Sequence, residues 1–330
     1  MKLGLYSITF LGVWYRGPAL TVEGVVARAR EYGYDGIEID GKRPHGNPTD
    51  LSRDRCYELR RLAADAGVPI YAVAANNDFS SPIPEHRESQ LAYVRELVRM
   101  TADLGAPVLR MFAAWPGVTL GPNGGRYDIA RRVWRIAQHE AGEDRAWDRC
   151  RAGLVECAAW AADAGITLAL QNHPPVIANH DDMLRMIGEV GSPALKACFD
   201  APLAHRQGVT AMRDAARAVG PLQVLSHFGG EYERNAGGRV RGLVRNDDGS
   251  LVPEAFYAEF LQGMLDIGYE GYVGYELCHS LPQIDGVTVG LDFAESNARL
   301  AAEYMRKLLQ EQRSSIRMRE ESVSARSLSP

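Results

Sequence analysis

Gly165–His173 reads GITLALQNH. Five largely apolar residues, Ile166–Leu170, run straight into Gln171, Asn172 and His173. A continuous apolar run bounded by turn signals suits a strand covered on both faces, as in a parallel sheet. The polar cluster then falls at the strand's carboxyl end, where α/β barrels collect their chemistry. Three other strand-like runs end the same way: KACFD at Asp200, QVLSH at His227 and YVGYE at Glu276. Each closes on a residue able to bind a metal. The four ends are expected to converge on one site.

Working outward, the remaining chain alternates between strand and helix patterns. Strands are expected at Lys2–Ile8, Tyr34–Asp40, Val68–Ala74, Pro107–Phe112, Ala194–Asp200, Leu222–His227 and Tyr272–Glu276. Helical spacing follows most of them; Val22, Val25, Val26 and Ala29 share one face and Gly33 can end that helix. Two connections are long. Ala113–Asp144 holds PGVTLGPNGG and a mixed stretch, Tyr127–Glu143, read as a short extra helix. GGEYERNAGGRVRGLVRNDDGS, from Gly229 to Ser250, reads as a loop heavy in Gly and charge. Insertions of this size usually shape an active-site mouth. Roughly eight strands alternating with eight helices predict an α/β fold, a (β/α)8 TIM barrel. An open doubly wound sheet has the same alternation, but neither GxGxxG nor GxxxxGK[ST] follows the first strand. One catalytic domain is expected over 1–309. Gln310–Pro330, rich in Ser and Arg with no apolar stripe, reads as a mobile, disordered C-terminal tail.

The formal net charge of -5 argues against nucleic acid as the main partner. No apolar stretch is long and charge-free enough to span a membrane. Met1–Phe10 lacks the charged start and cleavage site of a signal peptide. Cys56, Cys150, Cys157, Cys198 and Cys278 are odd in number and form no CxxC pair, which suits reduced thiols in a cytoplasmic protein.

YDGIEID, LALQNH, CFDAPLAH, SHFGGEYER and GYEGYVGYE stand in order at the second, fifth, sixth, seventh and eighth strands. In that order and placement the chain resembles the xylose isomerase-like TIM barrels, a group of sugar isomerases, sugar epimerases and related lyases. The resemblance covers about Met1 to Leu309. It implies one divalent ion held by Glu, Asp, His and Glu from strands five to eight. Carried over by position, the ligands are Gln171, Asp200, His227 and Glu276. An oxygen-rich set of this kind suits Mn²⁺ or Mg²⁺.

Gln171 departs from that pattern. An amide oxygen can bind a hard cation, but it brings no charge and cannot act as a base. The two-glutamate mechanism implied by the epimerases therefore lacks one carboxylate. His173 becomes the natural substitute base, on the same side of a regular strand as Gln171. Glu276 is the second catalytic candidate. Glu231 and Arg234 resemble the substrate-binding segment of ketose 3-epimerases. Arg110, Trp115 and His45 complete the substrate-binding candidates; Arg110 could instead be the structural partner of Glu38. Trp14, Phe79 and Phe112 also fall just past strand ends, where aromatics stack on sugars or pack the core.

The expected activity is proton abstraction beside a carbonyl of a sugar or sugar derivative, through an enediolate. Return of the proton gives isomerisation or epimerisation. The same first step followed by loss of a β-group is lyase chemistry, as the resemblance implies for 3-keto glycosides, including C-glycoside cleavage with a small partner subunit. A homo-oligomer is equally compatible. Loss of one carboxylate ligand also suits a non-catalytic relative, which metal analysis would separate from the enzymes.

Overall fold

Each apolar run of the sequence lies on a strand, with a helix packed behind it. The computed structural model describes residues 1–142, 145–204, 209–245 and 250–327. Glu143 and Asp144 of the first long connection, His205 of CFDAPLAH, residues 246–249 of the second and the last three of the tail lie outside the described residues. Eight strands close a parallel barrel in sequence order: β1 Lys2–Tyr6, β2 Gly36–Asp40, β3 Ile70–Ala74, β4 Val108–Met111, β5 Thr167–Gln171, β6 Leu195–Cys198, β7 Gln223–Gly229 and β8 Tyr272–Glu276. Tyr272 of β8 lies beside Lys2 of β1, which closes the ring. This is the expected TIM barrel.

Local chemistry sets the element ends. The Thr21 hydroxyl accepts a hydrogen bond from Gly24 N at 3.2 Å and caps the helix Val22–Tyr32. Gly33 ends it with φ of 77°, a left-handed conformation that a side chain would disfavour.

The barrel interior below the chemistry is filled by one large side chain. Tyr71 stacks on Tyr272 with ring centroids 4.0 Å apart. A Cβ at Gly4 would stand 2.2 Å from the Tyr71 hydroxyl, and one at Gly274 would stand 2.6 Å from it. Small residues on β1 and β8 therefore make room for the phenol. Its hydroxyl lies 3.4 Å from Glu38 Oε2, so the packed floor of the barrel touches the polar layer above.

Tyr127–Glu143, read as a short extra helix, carries the helix Asp128–Ala141, and the stretch before it forms a hairpin, Thr119–Gly121 with Gly124–Arg126. Two sequence expectations change. The second long loop is a three-stranded antiparallel sheet, Glu231–Arg234, Val240–Arg245 and Leu251–Pro253, anchored by buried Tyr232 and Leu243. Its Gly and charge content hides the alternation that would mark strands. The last helix runs Leu291–Ser327, through most of the expected tail. Neither Gly nor Pro interrupts that span, and its Ala, Leu, Glu, Arg and Gln residues favour helix. No helix among the described residues is long and apolar enough to cross a membrane.

Candidate active site

The carboxyl ends of the barrel strands carry a buried charged network. Its centre is His227 on β7. His227 Nε2 lies 2.7 Å from Glu38 Oε2 on β2, and Nδ1 lies 3.0 Å from Asp200 Oδ2, just past β6. The His227 backbone N–H also donates to Asp200 Oδ1 at 2.8 Å. Each ring nitrogen thus faces a carboxylate oxygen, an arrangement that favours the protonated imidazole. Burial opposes that charge, yet Asp200 and Glu38 outweigh it and raise the His227 pKa well above the usual value. Burial would raise Asp200, but His227 and Gln171 hold it below the ordinary carboxylate range.

GITLALQNH feeds this network with consecutive residues. The Gln171 amide nitrogen donates to Asp200 Oδ2. Asn172 clamps the backbone of the same residue, accepting from Asp200 N at 2.8 Å and donating to Asp200 O at 3.3 Å. Arg110 on β4 donates to Gln171 Oε1 at 3.3 Å and to the Tyr6 hydroxyl at 2.7 Å. Tyr6 in turn donates to Asp40 Oδ2 at 2.8 Å. Arg110 Nε faces Glu38 Oε1 across 3.7 Å. Arg110 thus serves as partner to Glu38 and also lines the cavity above.

That cavity has a volume of about 240 Å³ at the barrel mouth. Trp115, Phe112 and His173 form an aromatic wall: Trp115 stacks on Phe112 at 4.9 Å, and His173 meets Trp115 edge-on at 4.8 Å. Glu276, Arg110, Gln171, Lys42 and Arg131 supply polar groups. Glu276 is the one carboxylate among the described lining residues. Burial raises its pKa, with Asp200 and Glu38 adding to the rise against the pull of His227 and Arg110.

The cavity thus gathers Gln171, His173, Glu276, Arg110 and Trp115 of the expected set. Asp200 and His227 are fully buried and do not line it. His45 is buried elsewhere, with Nε2 bonded to Leu20 O at 2.8 Å; it does not reach the cavity. Arg234 is spent on an exposed ion pair with Glu303 of the last helix at 2.6 Å. Glu231 pairs with Arg245 at 2.5 Å at the start of the added sheet, outside the cavity lining. The cavity lining does not gather these three. Tyr6, Asn76, Tyr127 and Arg131 line the cavity without having been singled out as site residues. Tyr6 and Asn76 were legible as polar groups at strand ends; Arg131 comes from the inserted helix, which no local pattern ties to the site.

His173, the expected substitute base, stands in this wall with Nδ1 2.6 Å from Pro174 O. Burial, with Arg110 and Arg131 adding, lowers its pKa to about 4.

The donor chemistry fits a hard divalent ion in part. Asp200 and Glu276 offer carboxylates, and His227 offers an imidazole already oriented by Glu38, the usual outer partner of a ligating histidine. Cys198, Asp200 and His227 place ligand atoms within 4.8 Å of one another; Glu276 is not in that cluster. Burial raises the Cys198 thiol, which keeps it protonated. Gln171 turns its amide nitrogen toward Asp200 and its oxygen toward Arg110.

A family model described as the xylose isomerase-like TIM barrel matches residues 26–308. The chain is 25% identical over 304 residues to the fructoselysine 3-epimerase of Shigella flexneri, covering 88% of this chain and 95% of that protein. Among solved structures it is similar to D-psicose 3-epimerase from Clostridium cellulolyticum H10, crystallised with D-tagatose. The TM-score is 0.65 at 17% identity, over 94% of this chain and 99% of that one. It is also similar to 3-keto-D-glucoside 4-epimerase from E. coli, with a TM-score of 0.62 at 18% identity, over 93% and 99%. At these identities the structural likeness speaks for the fold.

Proposed function

The chain belongs to the xylose isomerase-like TIM barrel family, and from that premise we propose that it is a metal-assisted sugar epimerase or isomerase. The proposed step is removal of a proton from the carbon beside a carbonyl. The observation that carries this reading is Glu276. It is a lone carboxylate lining a cavity that also presents Arg110, Lys42 and Arg131. The epimerase named by the curated relative supports a sugar substrate.

Asp200, His227 and Glu276 would hold the ion, with Glu38 fixing the His227 ring. A divalent ion bound there would supply Lewis acidity toward the substrate oxygens. Glu276 takes the proton as the C–H bond breaks, and the electron pair enters the enediolate. Arg110 stays protonated: burial opposes its charge, but Tyr6, Glu38 and Glu276 outweigh it. Its charge offsets the negative charge that develops on oxygen. Trp115 and Phe112 offer flat apolar faces to the sugar ring. Proton return by Glu276 gives isomerisation. Epimerisation needs a donor on the other face, where Gln171 cannot act; Tyr6, Lys42, Tyr127 and His173 are among the proton-bearing side chains of the lining.

One observation favours a second reading. A single lining carboxylate suits elimination from a β-carbon as well as it suits epimerisation, so lyase action on a keto glycoside is the alternative. The metal part of the proposal is tested by measuring metal content in wild type, Asp200→Ala and Glu276→Ala. Loss of Mn²⁺ or Mg²⁺ in the variants is expected. Unchanged stoichiometry in both would sink the metal site.

A further inference from the structure

Beside the small polar cavity lies a second space of about 910 Å³. Lys42, Asn76, Trp115 and Val118 line both, so the two spaces adjoin at those residues.

The second space is an apolar groove. One wall is the inserted hairpin and helix Asp128–Ala141; the other is the loop that follows β3. Leu120, Val133, Ile129 and Ile83 line it, and they are 74%, 62%, 45% and 44% exposed. Single exposed apolar residues are ordinary, but several gathered in one concavity mark a binding surface. The wall is also held in place. Trp134 Nε1 donates to Ser80 Oγ at 2.7 Å, and the Gln138 amide donates to Ser80 O at 3.0 Å. Both bonds tie the inserted helix to the opposite wall. Asp78, the one carboxylate among the described groove residues, accepts from Ser80 N at 2.8 Å and from Ser80 Oγ at 2.5 Å. Lys42 and Arg43 are the cations of the groove lining; Arg43 pairs with Asp50 at 2.6 Å and Lys42 faces Asp40 across 3.8 Å.

We infer that the substrate is a sugar conjugate whose sugar fills the polar cavity and whose apolar or aromatic group lies in the groove walled by Ile83, Leu120, Ile129 and Val133. The inference rests on the sugar-enzyme reading above and adds the class of substrate. The shared lining at Trp115 is what selects this occupant: a group bonded to a sugar in the cavity lies beside the groove.

The test uses two ketose conjugates with the same sugar and linkage, N-(1-deoxy-D-fructosyl)glycine and N-(1-deoxy-D-fructosyl)-L-phenylalanine. Affinity is measured by titration calorimetry, and exchange at the carbon beside the ketone is followed by NMR in D₂O. Burying a phenyl group should tighten binding by about tenfold or more. Val133→Asp should erase that advantage and Val133→Leu should keep it, with circular dichroism checking the fold. Equal affinities for the two conjugates in the wild type would overturn the inference. So would a wild-type dimer that Val133→Asp dissociates, because a second copy would then cover the groove. A retained preference for the phenylalanine conjugate without exchange of either compound would uphold the groove and fault the proposed reaction.

Discussion

Gln171→Glu tests how the site answers to a divalent ion. The Gln171 amide nitrogen donates to Asp200 Oδ2 and its oxygen accepts from Arg110 at 3.3 Å. Glutamate puts an oxygen where that nitrogen stands. A hydrogen bond to a charged acceptor is worth about 1.5–3 kcal/mol, and it is replaced by facing carboxylates. The new charge beside Arg110 returns part of the loss. The net expectation is a metal-free protein less stable by about 2–3 kcal/mol. For a chain of this length that lowers Tm by about 3–4 °C. A divalent ion reverses the sign, because the added oxygen becomes an anionic ligand. Tenfold tighter binding contributes about 1.4 kcal/mol, and ligand in excess stabilises the folded state further. Calorimetric melting with EDTA, then with increasing MnCl₂, reads both effects. The variant should melt below wild type in chelator and close the gap or cross it with metal. Equal stability in chelator, or weaker metal binding by the variant, would refute the placement of Gln171 against Asp200.

Glu38→Gln keeps an acceptor for His227 but removes its charge, and should weaken metal affinity by about 10–100-fold; unchanged affinity in a metal titration would detach Glu38 from that task. His173→Ala removes a ring packed on Phe112 and Trp115, so KM should rise while kcat stays within about tenfold. A kcat loss of about a hundredfold or more would make His173 the base after all. His45 gives a pH effect away from the site. Burial lowers its pKa below 6.5, and its Nδ1 has no hydrogen-bond partner. The unfolded chain therefore takes up the proton more readily, and stability should fall as pH drops through 6.5 and below. His45→Gln should keep the bond to Leu20 O and flatten that acid limb in pH-dependent melting; an identical pH profile would contradict the assignment.

The barrel was legible because most of its strands are short apolar runs, and four of those runs lead into polar residues at the same pole. GITLALQNH, KACFD, QVLSH and YVGYE together located the site. The partners of those residues were less legible. Periodicity could not tell that Arg110 would satisfy both Glu38 and Gln171, since three separate strands must close before the guanidinium meets them. Arg234 and His45 look alike in sequence as polar loop residues, yet one faces Glu303 and the other is buried against Leu20. The added sheet was missed because Gly and Arg interrupt its alternation, and the apolar groove because its walls come from two distant connections.

The central claim is proton abstraction by Glu276 beside a carbonyl, and a kinetic isotope effect tests it most directly. A ketose or keto glycoside that the enzyme turns over is prepared with deuterium at the carbon next to the carbonyl. Its rate is compared with that of the unlabelled sugar for wild type and Glu276→Gln. The account predicts a slower rate for the labelled substrate in wild type, and a loss of about two to four orders of magnitude in the variant. Equal rates for labelled and unlabelled substrate, together with full activity of Glu276→Gln, would contradict it.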